Sequence, residues 1–299
     1  MFDISVVIPV FNDQKAIKLT LDALRHQTAE RSKFEIIVID NGSTDGAAEW
    51  LEQQRDITFL KELNHPNSPY SCRNRGIEVA SGNYIALLDS TCIPDHAWIE
   101  TGLSFIAENN CDLFGGNVKF NCENHKTTAK LYDSVMNVQM EQAIKTKQEA
   151  KTANLWVKKE LFSTFGPFKE GVRSGEDVRW SSFAASNGSP LLFAPQCIVY
   201  KFARGFNELM KKHYRIGKGQ ILRWHKEGHL KPKVRQALLG LKPVNPKRMR
   251  ILIAKNDDFE YSTFLAVKLY VVRYFALAST VLGNLIGLIE TREFRKNGH

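Results

Sequence analysis

Gly82-Asn83-Tyr84-Ile85-Ala86-Leu87-Leu88-Asp89-Ser90-Thr91-Cys92-Ile93-Pro94-Asp95-His96-Ala97-Trp98 carries the pattern that decides the fold of this 299-residue chain. Tyr84 to Leu88 reads as a short buried strand. It delivers Asp89 to the strand's carboxyl end, followed by Ser90, Thr91 and a turn marked by Pro94. In open α/β sheets, ligands bind just beyond the carboxyl ends of strands. A carboxylate placed there meets a sugar, a phosphate or a metal. An Asp that only caps the next turn is the plain alternative, and the sequence on both sides lowers its weight.

Upstream, Ile4–Val10 reads as a strand closed by Pro9, Val10, Phe11, Asn12 and Asp13. Residues 14–27 have helical spacing, with Ile17, Leu21 and Leu24 on one face. Phe34–Ile39 is a second buried strand ending in Asp40-Asn41-Gly42-Ser43-Thr44-Asp45, which opens a helix to about residue 54. A short strand at 57–60 and a helix at 70–80 precede the 84–88 strand. Strands alternating with helices at this spacing predict βαβ units and a largely parallel sheet. The polar clusters that end strands one, two and four then share one rim. Downstream the pattern predicts a helix over 97–108, a strand over 113–120 and a long polar helix over 126–148. Asn154–Leu161 reads as strand and turn, and a helix starts at Gly175-Glu176-Asp177. A strand over 191–199 is interrupted near Pro195, and helices cover 206–224 and 231–241.

Hydrophobic content of 43% and charged content of 24% describe a chain that can bury a core. Its length predicts one large domain with an appendage, or two domains. The five cysteines (72, 92, 111, 122 and 197) have no C-x-x-C spacing and an odd count, which points to a reducing compartment without a zinc site. No basic, apolar leader opens the chain, so a cytoplasmic location is expected. The net charge of +9 is uneven: residues 206–299 hold 19 Lys+Arg against 7 Asp+Glu, a net of +12, and the first 205 residues a net of −3. That asymmetry predicts an anionic partner for the tail.

Four segments in order, I-S-V-V-I-P-V-F-N, F-E-I-I-V-I-D-N-G-S-T-D-G, R-N-R-G-I-E-V-A-S-G-N-Y-I-A-L-L-D-S and F-G-P-F-K-E-G-V-R-S-G-E-D, make residues 3–205 resemble the family 2 glycosyltransferases of the GT-A fold. The resemblance implies an α/β catalytic domain over 1–205, with a nucleotide–sugar half followed by an acceptor half, and a helical extension over 206–299. It places Pro9, Val10 and Asn12 in the wall of the nucleotide pocket, and Asp40 and Asn41 on ribose and base. Asn41 stands where relatives carry a second carboxylate; it donates as well as accepts, so the base read here can differ from uracil. Arg73 is implied near the base or diphosphate, with Asp89 and Ser90 in the donor site. Asp177 matches the general base of inverting members, which takes the acceptor proton as that oxygen attacks the anomeric carbon. Glu176 is implied to position the acceptor. The plain alternative is that both acids only favour a helix N-terminus.

Two positions depart from the family pattern. The usual metal motif is D-x-D, but here Thr91 ends Asp89-Ser90-Thr91, and a threonine is a poor ligand for Mg²⁺ or Mn²⁺. Many relatives have His in place of Lys201, and a protonated ammonium cannot coordinate a metal. One reading is that the metal is lost and Lys201, with Arg73 or Arg204, neutralises the leaving phosphate. The other keeps a weakly held Mg²⁺ or Mn²⁺ on Asp89, helped by Asp95. The departure also opens donors beyond a UDP- or dTDP-hexose, such as a CMP-sugar or phosphoribosyl diphosphate. A catalytically inactive nucleotide- or glycan-binding scaffold is the alternative from another class.

In the tail, Lys211, Lys212, Arg215 and Lys218 sit at helical spacing among Phe206, Leu209, Tyr214 and Ile216, and Lys247, Arg248 and Arg250 form a second cluster. The charge-free stretch 274–289 spans only about 24 Å as a helix, short of a bilayer core. The expectation is therefore peripheral association with the inner face of the cell membrane and a glycan or polyprenyl-diphosphate-linked acceptor, in O-antigen or capsule synthesis. An ordinary core helix or a dimer interface is the alternative. No motif supports nucleic-acid binding.

Overall fold

The computed structural model describes residues 2–121, 127–226, 250, 253 and 262–296. The expected helix over 231–241 and the basic residues Lys247 and Arg248 lie outside the described residues. The chain divides into two compact units, Met1–Phe120 with Val138–Phe202, and Asn121–Asn137 with Ala203–His299.

In the first unit, β1 (Ile4–Val10), β2 (Phe34–Asp40), β3 (Thr58–Lys61) and β4 (Tyr84–Leu88) are parallel, with α1 (Gln14–Arg25), α2 (Ala47–Glu52) and α3 (Pro69–Val79) as crossovers. The sheet order continues beyond β4 through β7 (Asn154–Lys158), β6 (Leu113–Asn121), β8 (Leu192–Phe202) and β5 (Cys92–Pro94). Pairing is antiparallel from β4 to β7, from β7 to β6 and from β5 to β8, so the sheet is mixed. The near-continuous Val/Ile runs of β1 and β2 are buried from end to end, as a sheet covered on both faces requires. Four further helices belong to this unit: α4 (Trp98–Asn109), α6 (Met140–Lys147) and, after β7, α7 (Glu160–Phe165) and α8 (Glu176–Ser186).

At the amino ends of β1, β2 and β4, Glu35 Oε1 accepts hydrogen bonds from Ser5 Oγ (2.6 Å), Ser81 N (2.6 Å) and Ser81 Oγ (2.8 Å). Burial works against this charge, but the serine and backbone donors prevail and hold the Glu35 carboxyl below its ordinary range. Gly82 sits where a Cβ would come within 2.6 Å of the Ile4–Ser5 backbone, so no larger residue fits between these strands.

One buried polar residue ties the antiparallel half to the parallel half. Asn154 Oδ1 accepts from Trp98 Nε1 (3.0 Å) and Trp156 Nε1 (3.2 Å), and its Nδ2 donates to Asn117 O (3.0 Å) and Cys197 O (2.9 Å). All its hydrogen-bonding capacity is used, which removes the desolvation cost of burying it. Trp98 and Trp156 meet edge to face at 4.9 Å, and Trp156 stacks on Phe114 at 5.3 Å. Asn154 pairs across the sheet with Leu88, the residue before Asp89, so this network fixes the floor beneath the site.

Three elements differ from the sequence reading. The long helix expected over 126–148 is two helices, α5 (Thr128–Met136) and α6. Val138 between them has φ 43°, a left-handed conformation that a β-branched residue adopts only under tertiary constraint. The turn expected after Asp89 contains the short strand β5. β8 runs unbroken through Pro195, because the ladder continues from residues beyond that proline: Val199, Tyr200 and Lys201 pair with Pro94, Ile93 and Cys92.

The second unit is built from α5, α9 (Phe206–Lys226) and α10 (Thr263–Lys296). Leu131, Val135, Leu209, Leu269, Val272 and Ala276 form its core. Glycines bring α9 and α10 together: a Cβ on Gly217 would lie 2.1 Å from Thr280 O, and one on Gly283 2.1 Å from Tyr214 O. Asp133, fully buried, accepts from Arg204 N (3.0 Å) and pairs with Arg204 and Lys212. Beside them, burial and the neighbouring Lys212 charge pull the His213 imidazole down to about 4, so it is neutral at physiological pH.

Candidate functional site

Asp40 ends β2, and its carboxylate folds back onto its own turn, accepting from Gly42 N (2.8 Å) and Ser43 N (3.0 Å). Gly42 supports this turn with φ 85°. Asn41 spends both amide N–H groups on the chain, donating to Glu62 O (2.7 Å) and His65 O (3.2 Å). Only its Oδ1 acceptor is left for a ligand. Asn12, at φ 53°, links the first two rim loops: its N donates to Ser43 Oγ (2.9 Å) and its Oδ1 accepts from Thr44 N (2.7 Å). Pro9 and Val10 are the last residues of β1, in register with Ile39 and Asp40. The carboxyl ends of β1, β2 and β4 thus lie on one rim, with Asp40 and Asp89 two strand spacings, or about 10 Å, apart.

Asp89 is held by two buried cations. Arg73 Nη2 donates to Asp89 Oδ1 at 2.8 Å and Lys201 Nζ to Asp89 Oδ2 at 2.8 Å. The Arg73 and Lys201 side chains are 3% and 6% exposed, against 30% for Asp89. The pairing of Lys201 with Cys92 in β8 and β5 sets this geometry. Ser90 Oγ donates to Asp13 Oδ2 (3.0 Å), and its carbonyl accepts from Thr20 Oγ1 (2.8 Å). Burial pushes the Asp13 carboxyl up, against the Ser90 hydrogen bond and the Lys201 charge that lower it. Cys92 is buried against Lys201, and burial lifts its thiol to about 11, so it is no nucleophile at neutral pH.

Asp177 enters from α8 and is bound to the same cluster through Tyr70. Tyr70 Oη donates to Asp177 Oδ1 (2.8 Å) and accepts from Gly175 N (3.0 Å), while Thr152 N donates to Asp177 Oδ2 (3.3 Å). The Tyr70 ring lies 5.4 Å from the Arg73 guanidinium. A continuous path therefore runs Asp177, Tyr70, Arg73, Asp89, Lys201. Burial, then the Asp177 charge, push the Tyr70 hydroxyl well above its ordinary range, so it remains a donor.

Ser68, which caps α3, and Ser71 and Asn74 within it strap the loop that carries Asp177. Asn74 exchanges two bonds with Phe168 (2.8 and 3.0 Å), Ser68 Oγ donates to Val172 O (3.1 Å), and Gly171 N donates to Ser71 Oγ (3.3 Å). Trp180 packs on Phe162 at 4.7 Å and donates to Gly166 O (2.8 Å), fixing the start of α8. Glu176, implied to position the acceptor, turns inward. It is 3% exposed and bonded to Lys169 N (2.8 Å) and to Arg179, so its oxygens brace the loop. Arg204, weighed as a partner for the leaving phosphate, is instead paired with Asp133 in the second unit.

The model of the family described as glycosyl transferase family 2 matches residues 5–169. This chain is a family 2 glycosyltransferase. The Haloferax volcanii protein named Glycosyltransferase AglE is 42% identical over 225 residues, covering 74% of each chain. For several more distant curated relatives, the matched stretch is less than half of their own length. Among solved structures, a mannosyltransferase from Pyrobaculum calidifontis in complex with GDP-Man and Mn²⁺ is similar with TM-score 0.59 at 15% identity, covering 95% of this chain and 87% of that one. S. aureus TarS 1–349 in complex with UDP-GlcNAc is similar with TM-score 0.57 at 17% identity, covering all of this chain and 93% of that one. These likenesses establish the GT-A fold.

The candidate site brings in three residues that the sequence reading did not single out. Tyr70 resembled an ordinary core aromatic at a helix start. Asp13 follows Asn12 directly, and only the closeness of β1 to β4 reveals its contact with Ser90. Lys151 is largely buried; burial depresses its ammonium, while the charges of Asp177 and Asp89 raise it and Lys201 lowers it further. It precedes Thr152, which is bonded to Asp177, but no sequence motif marks it. Among the described residues, no group of three or more His, Cys, Asp or Glu side chains could hold a metal ion.

Proposed function

We propose that this family 2 glycosyltransferase moves a sugar, with inversion, from a nucleotide-linked donor to a hydroxyl of a glycan or polyprenyl-diphosphate-linked acceptor in surface-polysaccharide assembly of the O-antigen or capsule kind. The observation that carries the reading is the path of contacts from Asp177 through Tyr70 and Arg73 to Asp89, beside the carboxyl ends of β1, β2 and β4. Two similar folds hold GDP-Man and UDP-GlcNAc, which supports a nucleotide–sugar donor. In the proposed reaction the acceptor oxygen forms a bond to the anomeric carbon as the bond from that carbon to the diphosphate breaks. The electron pair leaves on the phosphate oxygen, and the acceptor proton passes to Asp177. Tyr70 and Thr152 N orient the carboxylate for that transfer. Asp40, Asn41 and the Pro9–Asn12 turn hold the nucleoside, and Arg73, Ser90 and Lys201 the phosphate side. Asp177→Asn keeps the shape and loses the base. Transfer is expected to fall about 10²–10⁴-fold with nucleotide binding retained; an undiminished rate rejects this role.

The second unit supports a membrane-facing role. α10 is continuous across Lys268 and Arg273, and its Thr263–Ile289 segment is 27 residues, about 40 Å as a helix. It is therefore long and apolar enough to cross a membrane, by length and composition, which replaces the shorter estimate taken from 274–289 alone. Phe264, Val267, Val271, Phe275, Leu282 and Leu285 form an exposed stripe along it at spacings of three, four and seven residues. We favour insertion of this stripe at the inner, anionic face of the cell membrane, where Lys211, Arg215 and Lys218 add attraction.

A further inference from the structure

The GT-A resemblance implies a divalent ion beside the donor diphosphate, and the donor set of this chain does not fit one. A metal at the end of β4 needs carboxylate oxygens free to bind it. Both oxygens of Asp89 are already engaged, at 2.8 Å each, by side-chain cations that are nearly fully buried. Thr91 offers no charge at the next acidic position, and one oxygen of the neighbouring Asp13 accepts from Ser90. Within the Arg73–Asp89–Lys201 triad two cations face one carboxylate, with Asp13 beside them, and a divalent ion at Asp89 would stand against two fixed positive charges. Lys201 is locked there by strand register, not by a flexible reach: Cys92, in ladder with Lys201, donates its backbone N–H to Asp89 O at 3.0 Å. Arg73 is similarly fixed, by Pro69 O (3.3 Å) and the Tyr70 ring. Among the described residues, its Nε–H has no acceptor.

We propose that this ion cluster is a built-in substitute for the metal: Asp89 holds Lys201 and Arg73 in place, and their excess positive charge balances the diphosphate of the donor. The cations are prepaid in position by folding, so the charge that develops on the leaving phosphate meets a preorganised partner. No metal enters the reaction. This inference rests on the donor-site reading above, and the test separates the two.

The experiment is calorimetric titration of the full-length protein with UDP and, separately, GDP, in excess EDTA and in excess Mn²⁺, with electron paramagnetic resonance to count bound Mn²⁺. The expected result is nucleotide binding that agrees within about threefold between the two conditions, with no protein-bound Mn²⁺. Lys201→Met is expected to weaken binding by roughly tenfold or more, and Lys201→Arg to restore most of it. The double variant Thr91→Asp with Lys201→His is expected to acquire bound Mn²⁺, a readout that does not depend on activity. Nucleotide binding that vanishes in EDTA and returns with Mn²⁺ overturns the inference and leaves the donor site intact. Absence of binding to either nucleotide in both conditions overturns the donor-site reading and this inference with it. A Lys201→Met variant that melts like the wild type and binds nucleotide equally well also overturns it.

Discussion

Replacing Tyr70 by phenylalanine removes one oxygen from the path between Asp177 and Arg73. The ring stays, with Phe168 at 5.7 Å and the Arg73 guanidinium at 5.4 Å, so packing is conserved. Two hydrogen bonds are lost: the one to the Asp177 carboxylate (2.8 Å) and the one from Gly175 N (3.0 Å). A bond to a charged group contributes about 1.5–3 kcal/mol, and the stranded Gly175 N–H adds a desolvation cost of its own. Since each kcal/mol moves the melting point of a unit this size by about 2–4 °C, the variant is expected to melt roughly 5 °C lower and remain folded at 25 °C. Asp177 keeps only Thr152 N at 3.3 Å, and a misaligned base is expected to reduce kcat by about 10- to 100-fold. In the proposed mechanism the hydroxyl serves the acceptor side, so affinity for the donor nucleotide is expected to change little. Initial rates of sugar transfer, paired with nucleotide titration and a thermal melt, read all three quantities. A kcat within about twofold of wild type alongside the lowered melt would refute the orienting role. An equal loss of nucleotide affinity would move Tyr70 to the donor side.

Gly283→Ala puts a methyl group 2.1 Å from Tyr214 O, a backbone atom that cannot turn aside, so the α9–α10 pair is expected to lose about 1–3 kcal/mol or more by chemical denaturation monitored through helix content. Lys151→Met is expected to raise the melting temperature at pH 7 while weakening nucleotide binding by about tenfold, the pattern of a residue kept for activity at a cost in stability. Burial depresses the Lys151 ammonium, so its contribution to stability is present above its ordinary range and lost as the pH falls. The gap between variant and wild type is therefore expected to narrow from pH 7 toward pH 10, and a gap that widens contradicts the assignment. Replacing Phe264, Val271 and Phe275 by serine is expected to abolish co-flotation with anionic liposomes and leave nucleotide binding unchanged; undiminished flotation would reject the apolar stripe as the contact.

The parallel half of the fold was legible because each of its strands is a short, nearly unbroken apolar run that ends in polar residues, as in Phe34–Asp40 and Tyr84–Leu88. Runs of this kind have few alternatives once helical spacing separates them. Asp89 and Lys201 were legible as a pair only through the family pattern, since 112 residues separate them and strand register alone brings them together. Tyr70 and Lys151 were not legible: an aromatic at a helix start and a lysine before a strand have common structural uses. Their roles arise when β7 inserts antiparallel beside β4 and draws the 150–152 turn against α8. The break at Val138 has no glycine or proline to announce it. In α10 the apolar helix was legible, but Lys268 and Arg273 left only 274–289 to be measured against a bilayer, although their long aliphatic stems let a continuous helix carry them.

The Glu35 clamp lies at the end of the sheet opposite the rim that carries Asp40 and Asp89. Ser5, Ser81 and Gly82 join three strands there without any contribution from the rim turns. Cohesion and selectivity are thereby assigned to different ends of the same strands. Rim positions such as Thr44 and Thr91 can therefore be varied without loosening the strands beneath them, while Gly42 and Gly46 (φ 85° each), Asn41 and Asp89 must be kept, which makes this chain a suitable chassis for swapping donor preference by targeted loop libraries.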